Sequence, residues 1–215
     1  MSQPLPPDPS SAYYGASTKQ PRDLTLTALL SVGAAALVTV SAVIDAVLVG
    51  EAIDNPDGRS PAVLVYLGNS LLYLALLAGA YVATCLWLQR ARQNAELISP
   101  DIHHARASGW IWGGWVCPIV NFWFPFQIVR DIYRGTARLP EASTAIGGWW
   151  GAWVVLIILS RISDRLSTSA LDGSTGNGAE LASAVLAMTS VVCLALWVAV
   201  VRQLTRGQHE ALGLG

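Results

Sequence analysis

Charged side chains are scarce in this chain. Only 13% of its 215 residues are Asp, Glu, Lys or Arg, whereas soluble domains carry roughly 25%, and 53% of the residues are hydrophobic. Most of the charges lie between long apolar runs, so lipid rather than water is the expected solvent. The formal net charge is -1, which gives no basic excess, so nucleic acid is not an expected partner.

Cysteine and histidine are also few, and their placement excludes several kinds of site. The three cysteines, Cys85, Cys117 and Cys193, lie far apart within apolar stretches, so they form neither a disulfide framework nor a metal motif. His103 and His104 are adjacent, and adjacent helical residues point in different directions. No nucleophile paired with a base and no Gly-rich phosphate loop is visible. We therefore expect no cofactor, no metal site and no enzymatic activity.

Four long apolar segments predict membrane spans. They cover residues 24–49, 61–88, 147–166 and 179–201. About 20 apolar residues suffice to cross the hydrocarbon core. Residues 1–23 are Pro-rich and too polar to fold alone, so a disordered cytoplasmic tail is expected there. The expected fold is therefore an all-α integral membrane protein, with residues 24–206 as a single membrane domain and 207–215 as a short tail.

The positions of the basic residues predict the orientation of the spans. Ten of the thirteen lysines and arginines fall before residue 24, within 89–108, within 130–146 or after residue 201. Short segments rich in Lys and Arg stay in the cytoplasm. We therefore expect both termini to be cytoplasmic, in a multi-pass protein of the cell inner (plasma) membrane.

The stretch 109–134 differs from the four spans. It reads GWIWGGWVCPIVNFWFPFQIVRDIYR, with four of the nine tryptophans, two interrupting prolines and basic residues near both ends. Proline disrupts a helix interior, and unpaired backbone at membrane depth requires cover by protein or a water-filled cavity. We therefore predict a Pro-broken re-entrant or interfacial helical hairpin, entered and left on the cytoplasmic side. Its bend is expected at Pro118, Asn121 and Pro125.

The second half of this stretch is amphipathic. One helical face carries Phe122, Phe126, Val129 and Tyr133, and the other carries Gln127, Arg130, Asp131 and Arg134. That pattern suits a helix lying along the inner leaflet. Contacts with lipid or a partner are expected at six residues, namely Arg90, Arg92, Trp115, Trp123, Arg130 and Arg134.

Polar side chains at membrane depth form a second candidate site, made of Asp45, Asn69 and Asn121. An ionisable residue inside a membrane is a functional candidate by default. However, Asp45 lies near the end of its span beside Glu51 and Asp54, which favours an aspartate at the lipid–water boundary. The amide of Asn69 is expected to bond a neighbouring helix.

Several runs resemble a known family. The runs are WLQRARQNA at 87–95, the first 25 residues of the 109–134 stretch, GGWWGAW at 147–153 and VVRQLTRGQ at 200–208. They are similar to the actinobacterial membrane family catalogued as domain of unknown function 4328. The matching residues are Arg90, Arg92, Asn94, Gly114, Trp115, Pro118, Asn121, Pro125 and Trp150. The resemblance implies a multi-span inner-membrane protein without an assigned activity.

These features are compatible with three functions. The favoured one is a non-catalytic accessory or scaffold subunit of a membrane complex, which binds anionic lipid and a membrane protein partner or a second copy of itself. The alternative is a small transporter or channel whose 109–134 hairpin lines a polar cavity, with Asp45 or Asp164 as a charged gate. The third is an enzyme acting on lipid headgroups through Arg90, Arg92, Asn94, His103 and His104, although arginines beside a membrane more often bind anionic lipid passively.

Overall fold

The chain folds into α-helices joined by short connections. The computed structural model describes residues 20–55, 60–136, 143–171 and 178–214. The helices are α1 (Thr25–Asp54), α2 (Pro61–Ile98), α3 (Trp110–Val116), α4 (Phe124–Gly135), α5 (Thr144–Leu171) and α6 (Gly178–Leu212), with a 3₁₀ turn at Val120–Phe122. The expected disordered tail falls mostly on residues 1–19, which lie outside the described residues.

Four helices, α1, α2, α5 and α6, are long and apolar enough to cross a membrane. Their surfaces are apolar as well as their interiors, because Val47, Leu71 and Met188 remain 75%, 72% and 70% exposed. Within the described residues no strand is present. The predicted all-α fold with four such helices is therefore confirmed.

Helix α1 packs along both α2 and α6, and α5 packs against α6. The start of α1, the end of α2, the start of α5 and the end of α6 consequently meet at one end of the bundle. We call it the arginine-rich end, because it carries Arg22, Arg90, Arg92, Arg106, Arg130, Arg134, Arg202 and Arg206.

Helices α2 and α6 extend furthest beyond the apolar runs that define the predicted spans. Helix α2 continues past Leu88 to Ile98, and we call its residues 89–98 the α2 extension. Residues 207–212, which the sequence pattern assigns to a short tail, form the last turns of α6. They stay helical because Gln208 is fully buried and donates a hydrogen bond of 2.9 Å to the Ala91 carbonyl.

Indole rings dominate the core next to the α2 extension. The ring of Trp197 lies 5.4 Å from that of Trp87 and 4.9 Å from that of Trp149. Trp197 donates its indole N–H to the Ser31 hydroxyl and Trp87 donates to that of Thr205, each at 3.2 Å. Buried indoles need such partners, so this cluster fixes α1, α2, α5 and α6 against one another.

Helix α4 contacts the α2 extension at Gly135. A Cβ atom added to Gly135 would lie 2.8 Å from the Cβ of Ala95, which is closer than two carbons can approach without a shift. Small residues at a contact let two helix backbones come this close. Gly135 therefore sets the distance between α4 and α2.

The Gly135→Ala substitution should destabilise the fold by about 1–3 kcal/mol, the usual cost of overpacking. Gly147→Ala in α5 is the matched control, because a Cβ added there meets nothing within 4 Å. It should be neutral or stabilising by up to about 1 kcal/mol. Thermal unfolding of both variants in mild detergent measures the difference. Equal melting temperatures would show that α4 does not pack closely at Gly135.

Candidate functional site

Helices α3 and α4 form a hairpin whose turn lies between two prolines. Pro118 directly follows Cys117, which is extended with φ -75° and ψ 115°, as the residue before a proline prefers. Pro125 lies in the first turn of α4, where its missing N–H has no helical partner to lose. The backbone N–H of Asn121 donates to the Cys117 carbonyl at 3.0 Å. Among the described residues, its buried side-chain oxygen has no hydrogen-bond partner.

The first arm of the hairpin runs alongside α2. The indole N–H of Trp112 donates to the side-chain oxygen of Gln89 at 3.4 Å. One helical turn earlier in α2, the Cys85 thiol donates to the Ile111 carbonyl at 3.2 Å. One turn earlier again, the Tyr81 hydroxyl donates to the Trp112 carbonyl at 2.9 Å. Helix α3 thus follows α2 from Gln89 towards Tyr81, away from the arginine-rich end.

The two tryptophans expected to touch lipid or a partner lie in different environments. The ring of Trp115 packs inside, with its centroid 5.7 Å from that of Trp153 and 6.3 Å from that of Trp149. Trp123 is 42% exposed. It belongs to an apolar surface around the turn, which we call the hairpin tip and which comprises Val116, Ile119, Phe122 and Trp123, all exposed.

The polar side of α4 is partly covered, at Gln127 and Asp131, while Arg134 on the same side stays exposed. Asp131 is only 4% exposed and accepts a 2.9 Å hydrogen bond from the Ala105 backbone N–H. Gln127 accepts one of the same length from Arg106, whose guanidinium lies 4.0 Å from the centre of the Phe124 ring. The connection between α2 and α3 therefore folds over this side of α4.

Two fully buried amides join the arginine-rich end together. The side chain of Asn94 accepts from the Arg22 N–H and donates to the Arg22 carbonyl, each at 2.8 Å. Gln208 donates to the Ala91 carbonyl at 2.9 Å and to the Thr136 hydroxyl at 3.2 Å. These bonds fasten the segment before α1, the residue after α4 and the end of α6 to the α2 extension.

The arginines named from the sequence differ in what they can reach. Arg90 is exposed, with one guanidinium nitrogen 3.3 Å from the Asp23 carbonyl, and Arg134 is exposed in the last turn of α4. Arg130 pairs with Asp131 at 3.4 Å. Arg92 is only 11% exposed, because it bonds Glu96 at 3.0 Å and the Arg106 carbonyl at 2.6 Å.

Arg92 also borders a cavity of about 300 Å³ on one face of the α2 extension, which we call the α2 pocket. Its polar lining consists of Gln20, Arg22, Gln89, Arg92, Gln93, Glu96 and Ser108, and its apolar lining of Leu97 and Ile111. Pockets of this volume are at the small end of those that hold ligands.

Two of the three polar residues expected at membrane depth lie together. The Asn69 amide nitrogen donates to the Asp45 carboxylate at 2.7 Å and to the Ser41 carbonyl at 2.9 Å, while the Ser41 hydroxyl donates to the Asn69 oxygen at 2.9 Å. This cluster joins α1 to α2. The third residue, Asn121, belongs to the hairpin, whose first arm contacts α2 at Cys85 and Tyr81.

The two histidines of the connection after α2 differ in burial. His103 is exposed and His104 is half-buried. Burial lowers the pKa of His104, as does the charge of Arg92, while Glu96 and Asp131 act in the opposite direction. Within the described ranges, no three His, Cys, Asp or Glu side chains are placed to hold a metal ion.

The lowered pKa of His104 predicts that the folded protein becomes less stable as the pH falls. The unfolded chain, with a histidine pKa of about 6.5, binds a proton that the folded chain binds less readily. Stability should therefore fall as the pH drops through about 6.5 and level off below the folded pKa. The melting temperature in detergent, measured from pH 7.5 to 5, should fall less in His104→Gln than in the control His103→Gln. An unchanged pH profile in His104→Gln would contradict the burial of this imidazole.

Comparison with known proteins places the chain in a family. A family profile described as Domain of unknown function (DUF4328) matches residues 52–206, which include all of α2, the hairpin, α5 and most of α6. No curated protein and no solved structure shows significant similarity to the chain. Because the match covers more than half of the chain, this protein belongs to the family described as Domain of unknown function (DUF4328).

Proposed function

We propose that this chain is a non-catalytic scaffold subunit of a membrane complex. In this proposal the hairpin tip contacts a partner protein and the arginine-rich end contacts anionic lipid. The observation that carries it is the contrast within the hairpin. Trp112, Gln127 and Asp131 of its two arms bond to α2 or to the connection before α3. In contrast, Ile119 and Trp123 at its tip remain 71% and 42% exposed.

The depth of the hairpin supports a re-entrant position. Helix α3 follows α2 as far as Tyr81, and Leu88 is the last residue of the apolar run of α2. At 1.5 Å per residue, Tyr81 lies about 10 Å further into the span than Leu88. Val116 and Ile119 follow α3 in the same direction, so we infer that they lie at least that deep. Trp123 adjoins Phe124, whose ring packs against the Arg106 guanidinium, so its exposed ring lies nearer the arginine-rich end. Exposed apolar side chains at such depths suit lipid or a partner helix better than water.

The way the hairpin is held supports a role in specific recognition. The Trp115 ring packs against α5, and the Trp112 and Ile111 carbonyls accept hydrogen bonds from α2. A surface on a fixed element loses little conformational entropy when it binds. Large aromatic side chains are also frequent among the residues that dominate binding energy, which makes Trp123 the leading contact.

The arginine-rich end supports both lipid contact and the predicted orientation. Arg90, Arg134, Arg202 and Arg206 are exposed there. Each basic residue near an anionic leaflet contributes about 1 kcal/mol of attraction. We therefore propose that this end, with both termini, faces the cytoplasm at the inner membrane.

A small transporter or channel is the second candidate. Two observations favour it, namely the buried Asn121 oxygen without a partner among the described residues and the bonded Ser41–Asn69–Asp45 cluster between two spans. Protein reconstituted in vesicles would then move an ion or solute under a potential, and Asp45→Asn would slow that movement. The absence of flux in the unaltered protein would remove this candidate.

The scaffold proposal predicts that tip substitutions release the partner. Purification of the tagged chain from its native host in mild detergent should retain a protein at fixed stoichiometry. Trp123→Ala should weaken its association by about 2 kcal/mol or more, roughly 30-fold, as for a dominant interface residue. Ile119→Ala should also weaken it.

Met188→Ala is the matched control, because Met188 is a large apolar side chain that is 70% exposed on α6, away from the hairpin. It should retain the partner. Stoichiometric retention of the partner by both tip variants would contradict the proposed contact. Purification of the unaltered chain with no protein at fixed ratio would contradict the scaffold function itself.

A further inference from the structure

We propose that the α2 pocket binds the phosphate of an anionic phospholipid headgroup, with Arg22 as its main contact. This inference rests on the proposed membrane function and gives its lipid contact a defined site. It assigns Asn94 as a positioning residue, which acts through the backbone of Arg22 rather than by touching the lipid.

The backbone of Arg22 is held in place before α1 begins. Both its N–H and its carbonyl bond the side chain of Asn94, each at 2.8 Å, and Asn94 is fully buried. If the buried Asn94 side chain lost its bonds to the N–H and carbonyl of Arg22, it would be left without these partners, which destabilises a fold. The folded state therefore keeps both bonds, and they fix this segment. The neighbouring Leu24 N–H is held as well, by the His209 ring at 3.2 Å. The short coil before α1 thus becomes a fixed wall of the pocket.

The side chain of Arg22 is free to bind a ligand. Although its backbone is fixed, its guanidinium makes no hydrogen bond or ion pair with any residue in the described ranges, and it borders the pocket. Arg92, which also lines the pocket, already pairs with Glu96, the one carboxylate of the lining. Arg22 therefore supplies the positive charge of the lining that is not balanced. Planar guanidinium groups bind phosphate with paired hydrogen bonds.

The remaining lining suits the oxygens of a headgroup. Gln20, Gln89 and Gln93 bring amide N–H donors, and Ser108 brings a hydroxyl. These groups can bond ester and hydroxyl oxygens of a phospholipid without adding charge. The volume of about 300 Å³ is enough for a headgroup and not for the acyl chains.

The apolar side of the pocket favours a lipid over a soluble phosphate compound. Ile111 lines the pocket, and its carbonyl bonds Cys85 within the apolar run of α2. The pocket floor therefore borders the predicted span. Trp112, bonded to Gln89 of the lining, places an indole at the same level, as is typical of the membrane–water interface.

The test is lipid binding to the purified full chain in mild detergent, followed by native mass spectrometry. Phosphatidylglycerol and phosphatidylcholine with the same acyl chains are titrated separately, and glycerol phosphate is titrated as the soluble arm. Arg22→Gln removes the proposed contact. Arg202→Gln is the control, because it removes one exposed arginine from the same end outside the α2 pocket.

Phosphatidylglycerol should bind more tightly than phosphatidylcholine and glycerol phosphate. Arg22→Gln should weaken it at least tenfold, as expected for loss of a charge-assisted hydrogen bond. Arg202→Gln should weaken phosphatidylglycerol binding about fivefold or less, because one basic residue contributes about 1 kcal/mol of attraction to anionic lipid. Asn94→Ala, with Arg22 intact, should also weaken binding more than Arg202→Gln does.

Equal losses in Arg22→Gln and Arg202→Gln would overturn the pocket and leave only general surface attraction. Glycerol phosphate binding as tightly as phosphatidylglycerol would overturn the lipid assignment. If Asn94→Ala does not fold, the comparison of Arg22→Gln with Arg202→Gln still distinguishes a defined pocket from general surface attraction. Retention of the protein partner by Arg22→Gln would separate this site from the proposed contact at the hairpin tip.

Discussion

The arginine-rich end depends on buried amide groups bonding the helix that extends beyond the membrane span. Buried side-chain amides need hydrogen-bond partners, so the partners they find can hold neighbouring segments together. Asn94, on the α2 extension, bonds the segment before α1. Gln208, at the end of α6, bonds both the α2 extension and the residue after α4. An unsatisfied buried amide costs about 1–3 kcal/mol. Loss of the Gln208 bonds would therefore loosen the ends of α4 and α6 together, and loss of the Asn94 bonds would release the segment before α1.

The contacts of α3 and α4 with neighbouring segments also restrict the turn of the hairpin. Because α4 is fastened at Gly135 and Asp131 and α3 is bonded along α2, the connection between them has little freedom to fold back onto the protein. Its apolar side chains stay exposed at the tip. The same fastening that stabilises the end of the bundle thus presents a fixed apolar surface, which is the feature that the proposed function uses.

The sequence is informative where a one-dimensional pattern has a direct physical cause. The length of the apolar runs predicted four spanning helices, and the prolines and flanking arginines predicted that 109–134 would be broken. The rest depends on tertiary contacts. The alternation of polar and apolar residues in α4 cannot show that the connection before α3 covers Asp131. Gln208 lies beyond the last apolar run, where the sequence pattern predicts a tail, and only its partners Ala91 and Thr136 reveal its role. Trp115 and Trp123 look alike in sequence and differ only in what surrounds them.

The most direct test of the account is the accessibility of Cys117 to a membrane-impermeant maleimide in sealed membranes. Cys117 is the one exposed cysteine, at the turn of the hairpin, while Cys85 and Cys193 are buried. A thiol must ionise in contact with water to react. Labelling is expected from neither side in sealed membranes and rapidly after denaturing detergent, whereas an Asp101→Cys reference, at an exposed position outside the α2 pocket, should react from one side. Labelling of Cys117 as fast as that reference from the same side would place the hairpin on the membrane surface, and labelling from the opposite side would show that it spans.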